Sequence, residues 1–169
     1  MGQALRTGIV TEPAADPELE TLGRRLAEEV HRLFGAYCTS ARSTPAPATA
    51  ASLEISGLTG PHYDLERFGL HVVASPHHAD CLLVTGPVTR NMAEALRRTW
   101  AATPDPKIVI AAGDCARDGG IVAGSSAVEG GVGSVVPVDA VIPGCPPSPK
   151  ALLAGLLAVI GHRAGGAAR

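Results

Sequence analysis

The sequence predicts an α/β fold built on a parallel sheet, on three observations. Short aliphatic runs recur after residue 69, nearly uninterrupted by polar side chains, as strands are when both sheet faces are covered. Three of these runs stop at turn residues, Gly86-Pro87, Gly113 and Pro143-Gly144. Segments with helical spacing or glycine-rich composition lie between the runs, the alternation that builds parallel sheets.

Asp16 stands as an N-cap before Pro17, and Leu19, Leu22, Leu26, Val30 and Leu33 follow at helical spacing. An amphipathic helix ending near Gly35 is expected there. From Ala36 to Ala51 the composition shifts to Ala, Ser, Thr and Pro, which suits an irregular, flexible connector. Strands are expected at Leu70–Ala74, Cys81–Thr85, Lys107–Ala112 and Val138–Ile142. Between the second and third, Thr89 caps a helix whose apolar face carries Met92, Leu96 and Trp100. A last helix opens at Ser148-Pro149 and aligns Leu152, Leu153, Leu156, Leu157 and Ile160, leaving Ala164–Arg169 as a frayed tail. The chain thus divides into an N-terminal helix and connector (1–51), an α/β domain (52–162) and a tail (163–169).

A length of 169 residues fits one domain, and 46% hydrophobic residues suffice for a core. Only 18% are charged and the mean hydropathy is +0.19, so part of the surface is expected to be covered by partners. A net charge of −2 and five aromatic residues argue against a nucleic-acid binder, which needs a basic field and stacking platforms. No apolar stretch approaches the roughly 20 residues that cross a bilayer. Met1–Val10 has no long apolar core, so no secretory signal is expected and the compartment reads as cytoplasmic.

Ligands of open parallel sheets gather at the carboxyl ends of the strands. Cys115 follows the third strand in Gly113-Asp114-Cys115-Ala116, with Gly119-Gly120 just beyond, and Cys145 follows the fourth in Pro143-Gly144-Cys145-Pro146-Pro147. Glycines beside a cysteine let the backbone approach an inorganic cluster and aim amides at it. The same residues also suit small buried hydrophobes in turns. Cys81 begins its strand and reads as a core thiol, and Cys38 lies by the connector. Among His31, His62, His71, His77, His78 and His162 no two share the i, i+4 spacing of a helical zinc pair. Gly130-Gly131-Val132-Gly133 does not join a strand to a helix in the dinucleotide manner. No nucleophile elbow or Walker-type loop is present, which leaves a flavin-binding reading without a phosphate loop.

Five strings are jointly specific: Tyr63-Asp64-Leu65-Glu66-Arg67-Phe68-Gly69, Val73-Ala74-Ser75-Pro76-His77-His78-Ala79-Asp80, Leu82-Leu83-Val84-Thr85-Gly86-Pro87-Val88-Thr89, Gly113-Asp114-Cys115-Ala116, and Pro137-Val138-Asp139 to Ile142-Pro143-Gly144-Cys145-Pro146-Pro147. Together they resemble the small iron-sulfur subunit family shared by respiratory complex I (its 20 kDa subunit) and energy-converting [NiFe]-hydrogenases, most of all the formate hydrogenlyase small subunit. The resemblance runs from about Ser52 to Leu157.

This resemblance implies a flavodoxin-like core that holds one [4Fe-4S] cluster against a large hydrogenase-like catalytic subunit, in an assembly attached peripherally to the cytoplasmic face of a membrane. It implies electron transfer as the function, with no turnover by the chain alone. Cys115 and Cys145 match two of the family's four thiolates, with Glu54, Asp114 and Gly144 as polar or backbone neighbours. The family's first cysteine pair falls on Ala48 and Ala51, which have no lone pair to give. Three arrangements follow. Cys38 supplies a third thiolate, a partner chain supplies donors, or the cluster is gone and a docking subunit remains.

Overall fold

The computed structural model describes residues 17–34, 38–43 and 50–166. Helix α1 (Pro17–Phe34) leads into strand β1 (Cys38–Ser43) and helix α2 (Ala50–Leu58). Strands β2 (Leu70–Val73), β3 (Cys81–Thr85) and β4 (Val88–Thr89) precede helix α3 (Arg90–Ala102). Strand β5 (Ile108–Ala112), the short helix α4 (Asp114–Asp118), strands β6 (Val128–Gly130) and β7 (Ala140–Ile142), and helix α5 (Pro149–Gly166) complete the order.

Among the described residues, five strands form one parallel sheet in the order β2-β1-β3-β5-β7. Ranked along the chain this is the flavodoxin-like winding, with its reversal between β1 and β3. The four expected strands are all present, within two residues of their expected starts. The connector differs. Cys38–Ser43 is a strand between β2 and β3, with Ala41 opposite Val73 on one side and Leu82 on the other. Two flanking ladders outweigh a composition of Cys, Thr, Ser, Ala and Arg that carries no strand signal of its own. The boundary expected at residue 51 falls inside α2. Asp16, Ala48 and residues 167–169 lie outside the described residues.

Strand side chains alternate between two cores. Cys81, Leu83, Ile108, Ile110 and Ala112 pack with Leu19, Leu26 and Val30 of α1, Ile55 and Leu58 of α2, and Leu152, Leu153, Leu156 and Ile160 of α5. Leu82, Val84, Val109 and Ala111 face Ala93 and Leu96 of α3, Ala116, Val132 and Val136. The two-sided covering explains why the strands read as continuous apolar runs. On α3 the buried stripe is Ala93 and Leu96, while Met92 is 40% exposed, so the helix is turned by about one residue from the expected face. Thr89 occupies the N-cap of α3 without a side-chain cap bond. Helix α5 opens as expected, with Ser148 Oγ accepting from the Ala151 amide at 3.3 Å, and continues to Gly166.

Two carboxylates fasten the amino ends of the strands. Asp80 accepts the Thr39 amide at 2.8 Å, and Asp139 accepts the Val109 amide at 2.8 Å. Their own amides donate back to the Thr39 and Val109 carbonyls. Helix α1 is fixed at Gly23, whose missing Cβ makes room for the Phe68 ring, and by a 2.6 Å pair between Glu20 and Arg67. No helix among the described residues is long and apolar enough to cross a membrane.

Candidate functional site

Strands β5 and β7 are neighbours in the sheet, so the loops after them emerge side by side at the carboxyl rim. The ladder continues past the strands: the Gly113 amide donates to the Ile142 carbonyl at 2.8 Å and the Asp114 amide to the Gly144 carbonyl at 2.9 Å. The Gly144 amide returns a longer bond, 3.3 Å, to Asp114 Oδ1. One residue beyond this stitch on each loop stand Cys115, half-buried at the start of α4, and Cys145, exposed. Cys145 is near enough to disfavour ionisation of the Cys115 thiol.

Glycine shapes the pocket around Cys115. Gly120 has φ +54°, and a Cβ there would lie 2.8 Å from Cys115 Sγ. The Ile121 amide acts in the opposite sense to burial and favours the thiolate. Burial pushes the Cys115 thiol up from its ordinary pKa, with further upward pushes from Cys145 and from the Asp114 carboxylate. Arg117 bridges Asp114 at 3.0 Å and Asp118 at 2.9 Å, and its charge balances this turn. The i, i+3 spacing of Asp114 and Arg117 was available in the sequence as a signal for that pair.

The third expected ligand position also reaches this rim. A Cβ built on Gly113 would lie 3.3 Å from the Gly144 carbonyl oxygen, 3.5 Å from Pro147 Cδ and 3.7 Å from Ala51 Cβ. Ala51 is buried at the start of α2, and Glu54, one turn further on, is half-buried. Thr85, at the carboxyl end of β3, keeps a buried Oγ1 with no hydrogen-bond partner, a feature the apolar run concealed.

The other cysteines are elsewhere. Cys81 is 2% exposed at the amino end of β3. Cys38 begins β1 in register with Leu70, two residues before Ser40 pairs with Cys81. At about 3.3 Å per residue, the length of a five-residue strand separates this rim from the sulfur pair by some 16 Å. Among the described residues no three His, Cys, Asp or Glu side chains come together as a metal-binding group. Ala51, where the family resemblance puts a third thiolate, presents a methyl group. The donor set therefore does not fit a [4Fe-4S] cubane held by this chain's own side chains, which needs four thiolates.

A flavodoxin-like sheet with two cysteines on neighbouring loops of its carboxyl rim is what a small subunit of an oxidoreductase complex of this kind would show, and comparison with known proteins gives the family. Residues 49–159 match the family model described as NADH ubiquinone oxidoreductase, 20 Kd subunit, and the chain belongs to that family. It is 38% identical over 161 residues to formate hydrogenlyase subunit 7 of Escherichia coli, covering 95% of this chain and 62% of that protein. It is 47% identical over 105 residues to a probable membrane-bound hydrogenase subunit of Pyrococcus furiosus, covering 62% of this chain and 63% of that protein. The chain thus spans somewhat less than two thirds of these curated relatives. Among solved structures it resembles a chain of the membrane-bound sulfane sulfur reductase, an archaeal respiratory membrane complex. There the TM-score is 0.70 at 31% identity, over 83% of this chain and 78% of that one.

Proposed function

We propose that this chain is a docking subunit of a membrane-bound, hydrogenase-type oxidoreductase complex that has kept the family's fold and given up its cluster. The observation that carries the proposal is the Ala51 methyl group, 3.7 Å from the Cβ position of Gly113 on the rim that bears Cys115 and Cys145. A methyl group cannot ligate iron, and two thiolates leave half of a cubane's irons without protein ligands. Exposed apolar side chains support the docking role. Ile121 is 92% exposed just beyond Cys115, and Leu53 is 70% exposed two residues after Ala51. Such residues are stable in water when a partner covers them. The partner is a large hydrogenase-like subunit, and the complex holds the chain at the membrane periphery.

A second proposal keeps electron transfer. Cys115 and Cys145 stand on neighbouring loops and Cys145 is exposed, so donors from a partner chain could complete a cluster across the subunit boundary. One experiment separates the two. The tagged chain is purified anaerobically with its partners from native membranes, and iron and acid-labile sulfide are measured per chain after subtracting what the partners bind. A co-purifying large subunit with no iron on this chain supports docking. Four irons and four sulfides per chain would establish the electron carrier instead, and a chain recovered alone would refute both.

A further inference from the structure

The two thiols on the carboxyl rim stand on neighbouring loops and differ in exposure, and among the described residues no third metal-binding side chain joins them. We infer that Cys115 and Cys145 form a reversible intramolecular disulfide in the undocked chain, making this rim a thiol-disulfide switch. The inference rests on the docking proposal only in requiring both sulfurs to be free of iron.

Geometry carries it. A disulfide needs Cα atoms roughly 4.4–6.8 Å apart with converging Cβ vectors. Cys115 and Cys145 each lie one residue past the Asp114-to-Gly144 backbone bond, which ties their two loops together. Cys145 also lies near enough to push the Cys115 thiol up. Their surroundings assign the order of events. Cys145 is exposed and meets the oxidant first, whereas Cys115, half-buried behind Gly120, is placed to resolve the intermediate.

The reaction is exchange with a low-molecular-weight disulfide. The Cys145 thiolate attacks one sulfur of the oxidant, breaking its S–S bond and releasing one thiol. The Cys115 thiolate then attacks Cys145 Sγ in the mixed disulfide and expels the second thiol. Two cysteine thiols are oxidised to one disulfide and the oxidant is reduced to two thiols, which carry off the two protons and two electrons. The product ties the loop after β5 to the loop after β7, locking the rim.

The test uses the full chain with Cys38 replaced by serine, purified reduced and treated anaerobically with glutathione disulfide across a series of redox ratios. Differential alkylation and peptide mass mapping then read the products. The expected result is a linked Cys115–Cys145 peptide within one chain, reversed by a dithiol reductant, with Cys81 unmodified. Cys115→Ser should lose that link and stop as a mixed disulfide on Cys145. A stable mixed disulfide on Cys145 beside a still-alkylatable Cys115 in the parent chain would overturn the inference, as would linkage only between chains. Either negative result leaves the docking proposal standing, because that rests on iron and sulfide content and on the co-purifying partner.

Discussion

The amide of Asp114 donates to the carbonyl of Gly144 at 2.9 Å, and the amide of Gly144 answers at 3.3 Å to the Asp114 carboxylate. This two-way link sets the distance between the two sulfur-bearing loops. Asp114→Ala keeps the backbone bond and removes both the carboxylate acceptor and the Arg117 pair. A stability loss of about 1 kcal/mol is expected in urea denaturation. Asp114→Asn should recover much of it, and equal loss in both variants would contradict this assignment.

Gly120 should tolerate no side chain. Its φ of +54° and the 2.8 Å approach of Cys115 Sγ both oppose a Cβ. Gly120→Ala is expected to lose about 1–3 kcal/mol and to change the alkylation rate of Cys115. Gly133→Ala, which meets open space, is the control and should stay within about 0.5 kcal/mol of the parent.

Helix α1 is seated by Gly23 against Phe68, where an added Cβ would lie 2.1 Å from the ring. Gly23→Val should lose about 1–3 kcal/mol through overpacking. Faster hydrogen exchange confined to α1 and the 65–68 turn would show that the helix had lifted rather than that the sheet had failed.

The raised Cys115 pKa gives stability a pH dependence of definite sign. Burial leads the shift, so the folded chain holds this proton to higher pH than the unfolded chain does. The stability tied to the neutral thiol is complete below the ordinary thiol range, about 8.5, and is lost as pH rises through the higher folded value. The urea midpoint should fall in that alkaline window, and Cys115→Ser should flatten the fall. A midpoint that rises there would reverse the assigned direction.

Restoring the missing sulfurs should restore metal chemistry. Ala48→Cys with Ala51→Cys returns the family's four-cysteine set, although Ala48 is outside the described residues. After anaerobic incubation with iron and sulfide, the double variant should bind both with thiolate-to-iron absorption, and the parent chain should not. Equal iron uptake by the parent would show that a cluster assembles without the missing cysteines, against the docking proposal.

Strands β3 and β5 were legible because each is covered on both faces and so must be apolar along its length, and the edge strands β2 and β7 were legible as short aliphatic runs although Val72 and Val141 stay exposed. Strand β1 was not, since Cys-Thr-Ser-Ala-Arg-Ser gains its order from neighbours that are distant in the chain. Cys115 and Cys145 could be assigned to strand ends from local sequence. That β5 and β7 lie side by side is a fact of topology, which apolar runs do not encode. Met92 shows the same limit on a helix: period alone gave the spacing, and packing chose Ala93 and Leu96 as the buried pair. Thr85 was hidden inside an aliphatic string, where its unpaired hydroxyl leaves no trace.

The carboxylates of Asp80 and Asp139 close the sheet at the end remote from the sulfurs. Architecture and chemistry are thereby housed at opposite poles of the same molecule. A lineage could exchange what the upper pole carries, or strip it bare, while the fastening below went on holding the strands in register.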